Sequence, residues 1–228
     1  MFDDIKIPEM LNKSKQGNFV FAPVGNVCNV QIFDKISLET STEMVGNLAS
    51  IITQLPTLQP IDTSSTKITS PYDIPQDRFV FDVSINSGGG EFSAYKSIAS
   101  MFALAKSRGA IIRTTNTGRA HSAASMLAIQ GTPGYRIMHE TSSLLIHFGD
   151  ETVRATQNGE AQIAVNKQKQ DRQQVFSVYD KFAKIPEKQY KHYLDKNRSG
   201  TLFAQECLEY HICDWILTHN GELIGRKR

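Results

Sequence analysis

Phe79-Val80-Phe81-Asp82-Val83-Ser84-Ile85-Asn86-Ser87-Gly88-Gly89-Gly90 decides the reading of this chain. Its first seven residues are mostly β-branched or aromatic and too few for a helix, so they predict a strand. The glycines after them are a turn. Behind that turn Phe92, Tyr95, Ile98, Phe102 and Leu104 recur at helical spacing until Gly109. Ala110 to Thr115 is a second β-branched run, and Gly118 to Ser122 a second glycine-bearing turn. Ala123 to Gln130 reads as a short apolar helix closed by Gly131, and Ser143 to His147 as a third strand. Strand, turn and helix repeated in this order form a βαβαβ run. Crossovers of that length join parallel strands, and the right-handed connection rule then gives a layered α/β sheet.

Upstream, Asn18 to Phe21 and Val27 to Phe33 carry strand character. Thr40-Ser41-Thr42-Glu43 sets a hydroxyl three residues before a glutamate, the capping-box arrangement that opens a helix. Met44, Val45, Leu48, Ile51, Ile52 and Leu55 follow at helical spacing, and Pro56 ends the pattern. Residues 59–76 are polar and rich in Pro, Ser and Thr, which reads as a mobile surface loop. Downstream, a long amphipathic helix is expected from about Glu160 to Phe182, with Val165, Val175, Phe176, Tyr179 and Phe182 set among charged residues. Ala204 to Tyr210 reads as a helix, and Trp215 to Leu217 as a strand or tail. With no repeat and no second core, residues 1–228 read as one domain with a protruding helix.

Composition bounds the function. Hydrophobic residues make up 40% and charged residues 21% of the 228, ordinary for a globular fold and unlike a disordered chain. Lys plus Arg number 25 against 23 Asp plus Glu, a net +2, without the basic excess of a nucleic-acid binder. No apolar window of about 18 residues is present to span a bilayer. Met1-Phe2-Asp3-Asp4-Ile5-Lys6 is unlike a secretory signal. Cys28, Cys207 and Cys213 have neither framework nor metal-site spacing, so the expectation is a reduced, cytoplasmic protein without structural zinc. Arg226-Lys227-Arg228 reads as a solvated end.

In an open α/β sheet the reactive crevice lies beyond the carboxyl ends of the parallel strands, where both glycine turns fall. Gly88 to Gly90 suits either a tight turn or amides aimed at a ligand, but a G-x-G-x-x-G dinucleotide fingerprint is not completed. Ser122 opens the second helix, so it is a helix cap or a nucleophile whose oxyanion the Ala123 amide would meet. His147 ends a strand expected beside that turn, and histidine is the usual base for a serine at neutral pH. His139 reads as a loop residue, His121 as diverging from its neighbour, and His192, His211 and His219 as surface residues.

At these residues the sequence resembles the Clp protease proteolytic subunit (ClpP) family of self-compartmentalised serine peptidases. Ile85-Asn86-Ser87-Gly88-Gly89-Gly90 is similar to that family's I-N-S-P-G-G, with Gly88 in place of proline. Gly118-x-Ala120-x-Ser122 resembles its nucleophile turn, and Gly131-x-x-Gly134-x-Arg136 the stretch that follows. His147 stands twenty-five residues after Ser122, the family's separation; from Ser125, in the tempting Ala-Ala-Ser-Met, it would fall three short. Leu202 to Tyr210, with Asp214 beyond, resembles the family's tail.

The resemblance implies a crotonase-like α/β fold, with residues from about 148 to 183, including a strand over Thr152 to Gln157, as a handle between stacked rings. It implies Ser122 as nucleophile, His147 as general base, and the Gly90 and Ala123 amides as oxyanion hole. The acid is less direct. Counting back from Leu202, the family's aspartate position holds Ser199; counting forward from His147 it lies near Asp195 to Asn197. An insertion around Lys196 to Thr201 reconciles the counts and nominates Asp195, with Asn197 next and no acid as the third reading. The resemblance further implies a homo-oligomeric ring, a heptamer or stacked heptamers, acting on unfolded protein or peptide. ATP would be used only by a partner AAA+ unfoldase, with no cofactor in this chain. A weak or inactive scaffold subunit and a virus-type (phage-type) capsid maturation protease of the same fold are the alternatives. An acyl-CoA-handling crotonase and a serine–lysine signal-peptide peptidase fit the Ser122 and His147 pair less well.

Overall fold

In a computed structural model the fold is described over residues 2, 18–64, 67–147, 158–189 and 200–226. Two strands, β1 (Asn18–Val20) and β2 (Val27–Ile32), lead into helix α1 (Leu38–Gln54). The βαβαβ run follows as β3 (Val80–Ser87), α2 (Phe92–Ser107), β4 (Ile111–His121), α3 (Ala123–Ile129), β5 (Arg136–His139) and β6 (Ser143–Ile146). Helix α4 (Asn158–Phe182), β7 (Gly200–Phe203), α5 (Ala204–Glu209), β8 (Trp215–Leu217) and β9 (Leu223–Gly225) complete the described chain.

The strands form one sheet in the order β1-β2-β3-β4-β5-β8-β9, with β6 beside β4 and β7 beside β6. Strands β2 to β6 pair with one another in parallel, as the crossovers require, while β1 and β7 add antiparallel to β2 and β6. The long strand β4 forks the sheet. Its Thr114–Asn116 portion pairs with β5, and its Arg119–His121 portion pairs with β6. That fork sends two strand ends, from β4 and β6, to one edge.

Alternation along β3 divides the interior. Phe81, Val83 and Ile85 face the main core with Met44, Leu48, Ile51 and Ile52 of α1 and Tyr95, Ile98 and Phe102 of α2. Val80 faces the other way and joins Ile111 and Tyr135 in a second cluster. The cover on that side is the long connection, whose Ile61, Ile68 and Ile74 pack against the cluster. Arg113 Nη1 donates to the Pro71 carbonyl at 3.3 Å and the Tyr135 hydroxyl to the Asp73 carbonyl at 3.2 Å. The described part of 59–76 is a largely exposed loop, and it packs Ile61, Ile68 and Ile74 onto the sheet. Parallel strands bury both faces, and this segment supplies the second covering that a helix would otherwise give.

Several boundaries differ from the sequence expectation. Helix α1 starts at Leu38, capped by Ser37: its hydroxyl accepts from the Thr40 amide at 3.2 Å, and Thr40 Oγ1 accepts from the Ser37 amide at 3.1 Å. The box is thus Ser37–Thr40, not Thr40–Glu43, because a threonine hydroxyl does the work of the carboxamide or carboxylate the motif looks for. Gly118 lies within β4 rather than in a turn; a Cβ there would stand 2.7 Å from Asn86 Oδ1, so this glycine lets a neighbouring side chain approach. His139 ends β5 instead of lying in a loop, since β5 pairs with β8 through it. Strands β5, β7 and β9 have only three or four residues each, too short for a periodic signal. Arg226 is not a free basic end: it pairs with buried Asp214 at 2.7 Å, beside the two-pronged Arg136–Asp214 contact at 2.8 and 2.9 Å.

The expected long helix is present as α4, with Val175 and Tyr179 buried at its base. The expected strand over 152–157, and with it Asp195, Asn197, Ser199 and His192, lie outside the described residues. All three cysteines are free and buried. Burial pushes the Cys28 thiol up to about 12, far from a reactive thiolate.

Candidate active site

The fork at β4 builds the site. Arg119, Ala120 and His121 pair with Ser143, Leu144 and Leu145, and the Ser122 amide donates to the Leu145 carbonyl at 2.9 Å. One further step of this parallel register sets Ser122 beside Ile146, with His147 next on the same edge. Paired strands lie about 4.8 Å apart, so the chain segments that carry the serine and the histidine leave the sheet side by side. Both residues are half-buried. Among the described residues no hydrogen bond joins the Ser122 hydroxyl to the His147 ring; what the fold brings together is their backbones.

Ser122 turns the chain from β4 into α3 with φ 52° and ψ −122°. Few non-glycine residues adopt this region, and such strain collects at functional turns. Its carbonyl accepts from the Ser125 and Met126 amides at 3.0 and 3.3 Å. Its hydroxyl does not cap α3. Ser122 thus occupies the N-cap position of α3 without its hydroxyl doing a cap's work.

The glycine turn packs directly on this elbow. A Cβ on Gly89, where φ is +92°, would lie 2.5 Å from the His121 carbonyl oxygen, 2.8 Å from Ser122 Cβ and 3.0 Å from the Ala123 nitrogen. Only glycine permits that approach. Its other side is clamped by the segment before α1. The Ile36 amide donates to the Gly89 carbonyl at 3.0 Å, and the Glu91 amide to the Ile36 carbonyl at 2.7 Å. Ser87 Oγ accepts from the Gly89 amide at 3.1 Å while donating to the Asp34 carbonyl at 2.6 Å. Among the described residues, no backbone carbonyl takes the Gly90 amide or the Ala123 amide, the first of α3. Nothing in the sequence signals the clamp by residues 34–36, because its contacts are made by backbone atoms.

The rival residues are otherwise engaged. His121 Nε2 lies 2.9 Å from Ser143 Oγ; burial, with Arg119 adding to it, pushes its titration down. His139 Nδ1 is 2.9 Å from Thr141 Oγ1. His219 contacts Glu140 on the surface, away from the elbow. His211 is half-buried in a left-handed conformation behind α5, with φ 58°. Ser125, the other candidate nucleophile, is 0% exposed and its hydroxyl donates to the Ser122 carbonyl at 2.6 Å, so no substrate reaches it. No group of three or more His, Cys, Asp or Glu among the described residues could hold a metal ion.

This arrangement coincides with a known family. The family model described as Clp protease matches residues 76–220, from just before β3 to just beyond β8. The chain belongs to the Clp protease family. Its sheet and helices are accordingly the crotonase-like α/β fold of that family. The ATP-dependent Clp protease proteolytic subunit 2 of Streptomyces coelicolor is 31% identical over 136 residues, covering 60% of this chain and 60% of the relative. The ATP-dependent Clp protease proteolytic subunit 4 of Streptomyces avermitilis is 31% identical over 136 residues, covering 60% of this chain and 58% of the relative. The chain thus matches about three fifths of the length of these curated relatives. The segment that defines this Clp-family chain contains both turns, Ser122 and His147, and excludes β1, β2 and α1. No helix among the described residues is long and apolar enough to cross a membrane.

Proposed function

We propose that this Clp-family chain is a serine endopeptidase in which Ser122 is the nucleophile and His147 the general base. The observation that carries the reading is the uncapped Ser122 at positive φ, one register step from His147 and with the glycine turn against its Cβ. Ser122 Oγ attacks a peptide carbonyl as its proton passes to the His147 ring. The carbonyl electrons move onto oxygen, and the Gly90 and Ala123 amides meet that charge. His147 returns the proton to the leaving amine. Water, deprotonated by the same ring, then releases the acyl group and restores Ser122.

Asp195 is the proposed acid that orients the imidazole, with Asn197 second. Strands β6 and β7 pair regularly from Ile146–Gly200 to Ser143–Phe203, so any inserted residues precede Gly200. The substrate class proposed is unfolded protein or peptide, with a partner ATPase feeding folded substrates and no cofactor in the chain itself. Assembly as a homo-oligomeric ring is proposed from the family resemblance, and Ile163 and Val165 of α4, 71% and 37% exposed, are apolar side chains that a second copy would cover. A scaffold subunit of low activity is the second reading, favoured by serine at position 199 where the family's aspartate is expected.

A serine-directed fluorophosphonate tests the nucleophile. Mass spectrometry of the labelled chain is expected to place the modification on Ser122 and to find none in Ser122→Ala. Labelling that survives that substitution overturns the proposal. Parallel peptide assays of Asp195→Ala and Asn197→Ala, in which only the first loses activity, identify the acid; wild-type activity no higher than that of Ser122→Ala supports the scaffold reading.

A further inference from the structure

Ser125 and Tyr179 take no part in the chemistry proposed above, yet their buried hydroxyls run in series to the backbone of Ser122. Ser125 Oγ donates to the Ser122 carbonyl at 2.6 Å. A hydroxyl has one proton, so Ser125 can only accept from the Tyr179 hydroxyl, which lies 2.5 Å away. The direction is therefore fixed: Tyr179 O–H to Ser125 Oγ, and Ser125 O–H to the Ser122 carbonyl. Tyr179 is 1% and Ser125 0% exposed, so no water competes for either bond. Burial pushes the phenol's titration up, only partly offset by the Ser125 contact, and the chain keeps its protons.

The three residues come from different elements. Tyr179 sits on α4 one turn beyond buried Val175, Ser125 lies in α3, and Ser122 is the elbow between β4 and α3. An elbow in a sparsely populated backbone region persists only when surrounding contacts over-determine it. The Leu145 carbonyl fixes its amide side, and three donors fix its carbonyl side. Two of those donors are amides of α3 itself; the third is the one that reaches outside, to α4.

We infer that Tyr179 and Ser125 are positioning residues for Ser122: their hydroxyl chain, anchored in α4, holds the Ser122 carbonyl and so the direction in which its Oγ leaves the elbow. The inference rests on the reading of Ser122 as nucleophile. Helix α4 thereby orients the reacting group without touching substrate. The role belongs to the two hydroxyls, since the phenyl ring of Tyr179 would fill the same space without one.

The test uses the full chain with Tyr179→Phe, Ser125→Ala and both together. Three experiments are run: the fluorophosphonate labelling rate, steady-state kinetics (kcat and KM) for a short peptide, and backbone hydrogen exchange. Each single change is expected to lower labelling and kcat roughly fivefold, the worth of one net hydrogen bond, with KM unchanged. The double variant is expected to be no slower than Ser125→Ala, because Tyr179 acts only through Ser125. Exchange over residues 122–127 is expected to quicken while that of α2 stays unchanged. Unchanged labelling in Tyr179→Phe, multiplicative losses, or exchange quickened equally in α2 overturns the inference. If the wild type is not labelled at Ser122, the peptidase reading fails, and exchange alone decides positioning: quickening confined to 122–127 upholds it and no change refutes it.

Discussion

Three consecutive glycines meet three different surroundings, and that contrast gives the residue scale its test. A Cβ on Gly88 would find only Arg119 Cζ, at 3.9 Å, whereas one on Gly89 would strike the His121 carbonyl oxygen at 2.5 Å with φ at +92°. One on Gly90 would fall 1.9 Å from the Ile36 carbonyl oxygen. Gly88→Ala is accordingly expected to change stability by no more than about 1 kcal/mol, in either direction. Gly89→Ala is expected to cost about 2 kcal/mol or more through strain and overlap, and to reduce Ser122 labelling as the elbow shifts. Urea unfolding of the two variants measures the difference. The tolerance expected at position 88 also suits the family pattern, in which a proline occupies the equivalent place.

At the scale of elements, α1 shows what a sequence pattern reports and what it does not. The run Met44, Leu48, Ile51, Ile52 marks the helix because its apolar face repeats at the helical period, and all four side chains are buried. The start is set by the Ser37 and Thr40 hydroxyls, each accepting the other's amide, contacts that several Ser and Thr residues in this stretch could make. Ser37→Ala is expected to lower stability by about 1 kcal/mol, and exposed Glu43→Ala by less than about 0.5, measured by thermal or urea unfolding. The same division runs through the molecule. Phe79 to Ile85 and Ala110 to Thr115 announce β3 and β4 because long buried strands need continuous apolar runs. Strands β5, β7 and β9 have no such run and exist because β4, β6 and β8 offer them edges. At the site, Ser122 and His147 could be nominated from their places at a helix mouth and a strand end, and from the family resemblance. The clamp of Ile36 on Gly89 and the hydroxyl chain through Ser125 could not, for they depend on which backbone atoms the finished fold brings into contact.

The whole molecule is tied at the far end of β5 by a buried charge cluster. Burial alone would raise the Asp214 carboxyl, but hydrogen bonds from Arg136 and the charges of Arg136 and Arg226 outweigh it and hold the group below its ordinary value of 3.8. A carboxyl depressed in the folded state contributes stability that is present above its unfolded value. That stability is lost as pH falls through the folded one. Asp214→Asn removes the charge and leaves two arginines facing each other, Arg136 of them buried. At pH 7 it is expected to cost about 3–5 kcal/mol in urea unfolding. The gap between variant and wild type should narrow as pH drops below about 4, where the wild type loses the same contribution. A gap that is constant with pH would show that the carboxylate's charge is not what holds these elements. The fold in turn exists, for function, to deliver two strand ends to one edge, and the measurement that bears on this most directly is a double-substitution cycle on peptide hydrolysis. If Ser122 and His147 act as one unit, Ser122→Ala, His147→Ala and the pair together should reduce kcat to the same low level. Losses that multiply, or activity that survives either single substitution, would contradict the proposed pairing.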